Sequence, residues 1–98
     1  MMDFGEALKA LKEGKKVARK GWNGYHKGMY IYLTDGRDIP EHEWIERSPA
    51  QGTNLTERMN GKVVILPHID MVSAHGERVI GWLASQTDML SDDWEIIN

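Results

Sequence analysis

The fold is decided first by residues 3–14, DFGEALKALKEG, which predict an N-terminal helix. Asp3 is a good N-cap, Glu6 stands three residues later as in a capping box, and Gly14 supplies the C-terminal stop. Apolar side chains recur at helical spacing at Phe4, Ala7, Leu8 and Leu11. A helix with one apolar stripe needs a sheet or another helix to cover it.

The pattern after this helix changes to that of strands. Residues 28–34, GMYIYLT, alternate, with Met29, Ile31 and Leu33 on one face and tyrosines on the other. Further extended segments are predicted at 16–20, 62–66, 68–74, 77–83 and 94–97, and a short helix at 85–90. We therefore expect an α+β fold, an N-terminal helix packed on a mostly antiparallel β-sheet, as a single small domain over residues 1–98.

Residues 37–61 are polar and only weakly periodic, and they contain Pro40, Pro49 and Asn60-Gly61. We predict an irregular excursion here, with at most one helical turn near 41–45. A loop of this length in a small domain is usually functional or an interaction surface.

The amino-acid composition disfavours several classes of function. The 98 residues include 41% hydrophobic residues and no cysteine, which fits a globular protein of a reducing cytoplasm. No apolar run is long enough to span a bilayer, and the N-terminus lacks a secretory pattern, so no membrane partner is expected. The net charge of −3 disfavours binding to long nucleic acid. It combines +4 over residues 1–37 with −7 over the rest, so a local basic patch that includes Arg19 and Lys20 could still meet a phosphate.

Four tryptophans in so short a chain are the main functional signal. Trp22 precedes Asn23-Gly24, and Trp82 precedes residues 83–88, LASQTD, so two indoles stand beside side chains that read base edges and hydroxyls. The candidate ligand-binding residues are Trp22, Asn23, Trp82, Ser85, Gln86 and Asp88. The alternative reading is that the rings fill the core, and we assign Trp94 and Phe4 to that role. The Ser85–Asp88 pair is equally the form of a helix cap.

Signals for catalysis or metal binding are weak. His68 and Asp70 share a strand face, but a metal site needs a third ligand, and no zinc, calcium or phosphate-loop motif is present. Met29, His68 and Asp70 are candidates to line a pocket. No cofactor or metal is expected. A small hydrolase that uses His68, Asp70 or Asp88 is an alternative, and an interaction module with no small ligand is another.

Several segments resemble a known family. They are residues 4–8, FGEAL, followed by residues 14–24, GKKVARKGWNG, then Gly28-Met29, residues 67–71, PHIDM, and residues 82–90, WLASQTDML, with Asp93-Trp94. In these segments the chain resembles the type-2 Thoeris anti-defence family of small phage proteins. The resemblance covers both ends of the chain, whereas the middle follows no family pattern.

The resemblance implies a non-catalytic sponge in the cytoplasm of the bacterial host. Members of that family bind cyclic nucleotide signals, chiefly glycocyclic ADP-ribose, and some also hold cyclic dinucleotides at a separate site. They assemble as homotetramers. A chain this small can hardly enclose such a ligand alone, so a pocket shared between protomers is expected on size grounds as well.

Overall fold

The structure, a computed structural model, describes residues 1–47 and 61–98, which form two compact units. The larger unit comprises Met1–Thr34 and His68–Asn98, and the smaller unit comprises Asp35–Pro67. The larger unit contains α1 (Phe4–Lys12), β1 (Lys16–Arg19), β2 (Tyr30–Thr34), β5 (His68–Val72), β6 (Arg78–Val79), α3 (Gln86–Leu90) and β7 (Trp94–Ile97). The smaller unit contains β3 (Arg37–Pro40), α2 (Glu41–Arg47) and β4 (Lys62–Ile65). No helix in these described ranges has the length and apolarity needed to cross a membrane.

Helix α1 begins and ends as the sequence predicts. The Asp3 carboxylate accepts a hydrogen bond from the Glu6 N–H at 2.8 Å, and the Glu6 carboxylate accepts one from the Asp3 N–H at 3.2 Å. Together they form a capping box that satisfies two otherwise unpaired donors. Gly14 follows the helix with a φ of 86°, a left-handed conformation that favours glycine.

The sheet of the larger unit has the strand order β6-β5-β2-β1-β7, and every pairing in it is antiparallel. Val17 lies opposite Ile31, and both are fully buried in one core cluster with Leu11 of α1 and Trp94 of β7. The apolar stripe of the helix therefore meets the apolar face of the sheet. The predicted α+β class, with a helix on an antiparallel sheet, is confirmed.

The smaller unit is more regular than the excursion predicted for residues 37–61. Strand β3 pairs antiparallel with β4, with Ile39 opposite Val63, and α2 continues directly from β3. Ile39 is the buried residue of this pair, and a single apolar residue among polar neighbours gave too little periodicity to indicate a strand. The remainder of the predicted excursion, residues 48–60, lies outside the described residues.

The segment between β5 and α3 differs from the predicted strand at 77–83. Strand β6 contains only Arg78 and Val79, and the chain then runs without regular structure to Ser85. Gly81 ends the extended run, because its φ of 85° is left-handed and incompatible with a strand. This irregular stretch carries Trp82 back towards the core.

Candidate functional site

Three of the four tryptophans form one aromatic cluster with Phe4. The ring centroids of Trp22 and Trp94 are 5.3 Å apart, those of Trp82 and Trp94 are 6.1 Å apart, and both pairs are edge-to-face. Trp22 and Trp82 themselves are 6.2 Å apart, also edge-to-face. This geometry places the positive edge of one ring on the negative face of another and is favourable. The Trp22-Asn23 turn and the segment around Trp82 thus meet, as the site prediction requires.

The four rings differ in burial. Trp94 is fully buried, and Phe4 packs on the core from the side, so their predicted core assignment is confirmed. Trp22 and Trp82 are half-buried and pack against the same core cluster. Each of these two rings therefore has a structural role and an exposed portion.

Asp88 is the polar centre of this region. One oxygen, Oδ1, accepts hydrogen bonds from Trp22 Nε1 at 3.0 Å and from Arg19 Nη1 at 2.9 Å. The other, Oδ2, accepts the Ser85 N–H at 3.1 Å, and the Asp88 carbonyl accepts from Trp94 Nε1 at 3.0 Å. Asp88 is only 8% exposed. It therefore joins the Trp22 turn, β1, α3 and the buried indole.

Arg19 bridges Asp88 and a second carboxylate, Asp93. Its Nε donates to Asp93 Oδ1 at 2.8 Å and its Nη2 donates to Asp93 Oδ2 at 3.4 Å, a two-pronged arrangement. Asp93 also accepts the Gly21 N–H at 2.8 Å. A Cβ at Gly21 would lie 2.7 Å from Asp93 Oδ2, so a side chain there would displace the Asp93 carboxylate from its place in this network.

Hydrogen bonding shifts the ionisation of all three charged groups towards their charged forms. The hydrogen bond from Arg19, against partial desolvation, holds the pKa of Asp93 below its usual value. Burial raises the pKa of Asp88, but the hydrogen bonds from Trp22, Arg19 and Ser85 together outweigh burial, and the pKa is lowered. The hydrogen bond to Asp93 raises the pKa of Arg19. The network is therefore ionised at neutral pH.

These bonds change what the predicted site residues can do. Asp88 and Arg19 were predicted to contact a ligand hydroxyl and a phosphate, but their polar atoms are engaged within the fold. Contact of either residue with a ligand stays a prediction. In the structure, Asp88 and Arg19 fix the positions of Trp22, Ser85 and the first turn of α3.

Other predicted site residues face solvent. Asn23 and Gln86 are exposed, and among the described residues their side chains make no hydrogen bond. The Ser85 hydroxyl oxygen accepts the Asp88 N–H at 3.0 Å, which leaves the hydroxyl proton available. Lys20 is exposed, with its Nζ 3.9 Å from Glu95. These four side chains are accessible to a ligand.

The residues predicted to line a pocket lie along β2 and β5. Asp70 is 2% exposed, and its oxygens contact Thr34 Oγ1 at 2.6 Å, His68 Nε2 at 3.3 Å and the Gly81 N–H at 2.7 Å. His68 and Asp70 thus share a face, as the alternation predicts. Met29 packs against Gly24 instead, where a Cβ would lie 2.9 Å from the Met29 Cε.

Sequence reasoning did not find the contacts of two carboxylates, Asp93 and Glu95. Asp93 anchors Arg19 and Gly21. The Tyr25 hydroxyl donates to Glu95, a bond that raises the pKa of Tyr25 and ties the turn after Trp22 to β7. The available signal was the alternation of Asp93 and Glu95 about Trp94, which places both carboxylates on the face opposite the indole at the start of the last strand.

Among residues 1–47 and 61–98, no group of three or more His, Cys, Asp or Glu side chains could hold a metal ion.

Two comparisons place the chain among known proteins. The Thoeris anti-defense 2-like domain matches residues 2–97. The chain is also 32% identical over 97 residues to "Thoeris anti-defense 2" of Bacillus phage SP01, which covers 99% of this chain and 96% of that protein. Both matches span the aromatic cluster and its carboxylates as well as the middle of the chain. The protein belongs to the Thoeris anti-defense 2-like family, which supports an anti-defence role against Thoeris.

Proposed function

We propose that this protein is a non-catalytic sponge of the bacterial host cytoplasm. It binds and sequesters a cyclic ADP-ribose signal of the glycocyclic type and so blocks Thoeris defence. Family membership supports the anti-defence role, and the sponge mechanism and its ligand are our inference from the site.

The observation that carries the proposal is the meeting of Trp22 and Trp82. Sixty residues separate them in the chain, yet their ring centroids are 6.2 Å apart and both rings are half-buried. A base that stacks on an exposed indole face typically gains about 1–3 kcal/mol. Two adjacent rings therefore offer a surface for the flat part of a nucleotide.

The free polar groups around these rings fit the rest of such a ligand. Asn23, Gln86 and the Ser85 hydroxyl can read base edges and ribose hydroxyls, and Lys20 is a cation for phosphate. Arg19 and Asp88 hold this rim in place, since one bonds the other and both contact the surrounding turns. Preorganisation of this kind lowers the entropic cost of binding.

The burial of the carboxylates supports sequestration over the hydrolase alternative. A general base must reach the proton that it abstracts. Asp70 and Asp88, which the hydrolase reading assigns to catalysis, are 2% and 8% exposed and are hydrogen-bonded within the fold.

The segment that carries Trp82 also supports self-association. Five large apolar side chains at its flanks are exposed, and Leu83 is 92% exposed. They are Val79, Ile80, Leu83, Met89 and Leu90. Exposed apolar side chains concentrated in one segment are typical of an interface. We propose a homotetramer in which a second copy covers this segment and completes the pocket.

Calorimetric titration with glycocyclic ADP-ribose tests the proposed site. Asn23→Ala and Gln86→Ala remove exposed side chains without internal hydrogen bonds, so the fold is expected to be unchanged. Each variant should weaken binding by about 2- to 13-fold, the value of one net hydrogen bond. Asp92→Ala and Thr87→Ala are matched controls, because they are exposed neighbours outside the proposed contacts.

The outcomes separate the three functions. Binding that Asn23→Ala and Gln86→Ala weaken, and that the control variants leave unchanged, supports the sponge. Turnover heat with loss of ligand supports the hydrolase. No binding to the wild-type protein supports an interaction module without a small ligand.

A further inference from the structure

Asp70 is a buried carboxylate that no Lys or Arg neutralises among the described residues. Its contacts are the Thr34 hydroxyl at 2.6 Å, His68 Nε2 at 3.3 Å and the Gly81 N–H at 2.7 Å. A buried ionised group is costly unless donors surround it. Asp70 is only 2% exposed, so its role in the fold depends on the groups that donate hydrogen bonds to it.

Of these donors, the Gly81 N–H indicates a role for Asp70, because Gly81 belongs to the segment that carries Trp82. Residues 80–84 have no regular structure, and two consecutive N–H groups dock them on β5. Gly81 donates to the Asp70 side chain, and Trp82 donates to the Ile69 carbonyl at 2.6 Å. Gly81 also has a φ of 85°, so the direction in which the chain leaves it depends on a conformation that few other residues adopt.

We propose that Asp70 is a positioning residue for Trp82. By accepting the Gly81 N–H it fixes the left-handed turn, and the turn directs the indole towards Trp22 and Trp94 while Leu83 points to solvent. The consequence for ligand affinity rests on the proposed function, whereas the orientation of the ring does not.

Nuclear magnetic resonance of the indole N–H groups in the ligand-free protein tests the ring's orientation. The Trp82 signal is identified by its loss in Trp82→Phe. Asp70→Ala removes the acceptor for Gly81 and should move the Trp82 signal. Asp70→Asn should restore it, because the amide oxygen can still accept the Gly81 N–H while its NH₂ group turns to the Thr34 oxygen.

Thr34→Val is the matched control. It removes a donor to the same carboxylate but leaves the Gly81 bond intact, so it should reduce stability and leave the Trp82 signal in place. If Asp70→Ala does not fold, Asp70→Leu keeps the same branched arrangement of side-chain heavy atoms without an acceptor. A Trp82 signal that is unchanged in Asp70→Ala or Asp70→Leu, or that moves as far in Thr34→Val, overturns the proposal.

Affinity for glycocyclic ADP-ribose gives the second readout. We expect Asp70→Ala to weaken binding about tenfold or more, and Asp70→Asn and Thr34→Val to stay within about threefold of wild type. An affinity loss that simply follows stability across the three variants contradicts a positioning role. If the wild-type protein binds no glycocyclic ADP-ribose, the proposed function fails and the indole signals still decide the role of Asp70.

Discussion

Among single residues, Asp88 connects several separate chain segments near the indoles. Its side chain accepts hydrogen bonds from Trp22, Arg19 and Ser85, and its carbonyl accepts one from Trp94. Removing one partner of a buried charged pair is usually much more costly than the pair's net contribution, because the other charge is left unpaired. Here Arg19 keeps Asp93, so the loss is partial.

We predict that Asp88→Asn lowers the free energy of unfolding by about 2–3 kcal/mol, somewhat less than for a fully broken buried pair. Urea denaturation followed by tryptophan fluorescence measures the change. Asp92→Asn is the control, since Asp92 is an exposed carboxylate of the same turn. Equal stability of the two variants would mean that the Asp88 network contributes nothing to the fold.

The lowered pKa values of Asp88 and Asp93 predict the response to acid. Because the unfolded chain binds protons more readily at these two groups, their contribution is present above about pH 5 and is lost as pH falls through the lowered folded-state pKa values. The free energy of unfolding should therefore drop more steeply between about pH 5 and 3 in wild type than in Asp88→Asn. Parallel curves would contradict this assignment.

The sequence singled out candidate site residues by type and spacing, but it did not reveal their partners in the fold. Trp22, Trp82 and Ser85 stand out by residue type and spacing, and the structure brings them together. The pairing of Arg19 with Asp93 depends on the register of β1 against β7, where Arg19 lies opposite Trp94. Register is set by tertiary packing, which a single sequence does not reveal.

Among the elements, the turn between β1 and β2 is tightly constrained by packing. Gly24 is buried within it, and a Cβ there would lie 2.9 Å from the Met29 Cε and 3.1 Å from the Ala74 Cβ. Its φ of −91° is accessible to any residue, so space alone is limiting.

We predict that Gly24→Ala lowers the free energy of unfolding by about 1–3 kcal/mol, the usual cost of overpacking. Gly5→Ala is the control, because Gly5 lies in α1, where a new Cβ has its nearest contact at 3.4 Å and alanine favours the helix. Thermal denaturation should give the two variants shifts of opposite sign. A Gly24→Ala variant as stable as wild type would show that the turn can open without cost.

Helices and strands were predicted correctly where capping residues or the alternation of apolar side chains clearly mark them. Helix α1 has its capping box and β7 its alternation, and both occupy the predicted positions. Strand β3 and the short β6 were misjudged, since one depends on pairing with β4 and the other is cut short by Gly81. Neither the pairing of distant strands nor the backbone conformation of one residue can be predicted from the local hydrophobic pattern of the sequence.

For the whole molecule, the exposed apolar segment around Trp82 predicts assembly. Leu83→Asp and Leu90→Asp place charges where a second copy is proposed to pack, so each should shift the protein from a tetramer to smaller species in light scattering. Thr87→Asp, at an exposed polar position of the same segment, should leave the mass unchanged. A monomeric wild type at micromolar concentration would contradict both the assembly and the shared pocket.

We propose that the whole molecule holds a cyclic ADP-ribose signal without cleaving it. The most direct measurement incubates the protein with glycocyclic ADP-ribose, separates the complex from free ligand, heat-denatures it and identifies what is released by mass spectrometry. We expect depletion of the free ligand and recovery of the intact cyclic molecule in stoichiometric amount. Recovery of a linear or hydrolysed product, or no depletion at all, would contradict it.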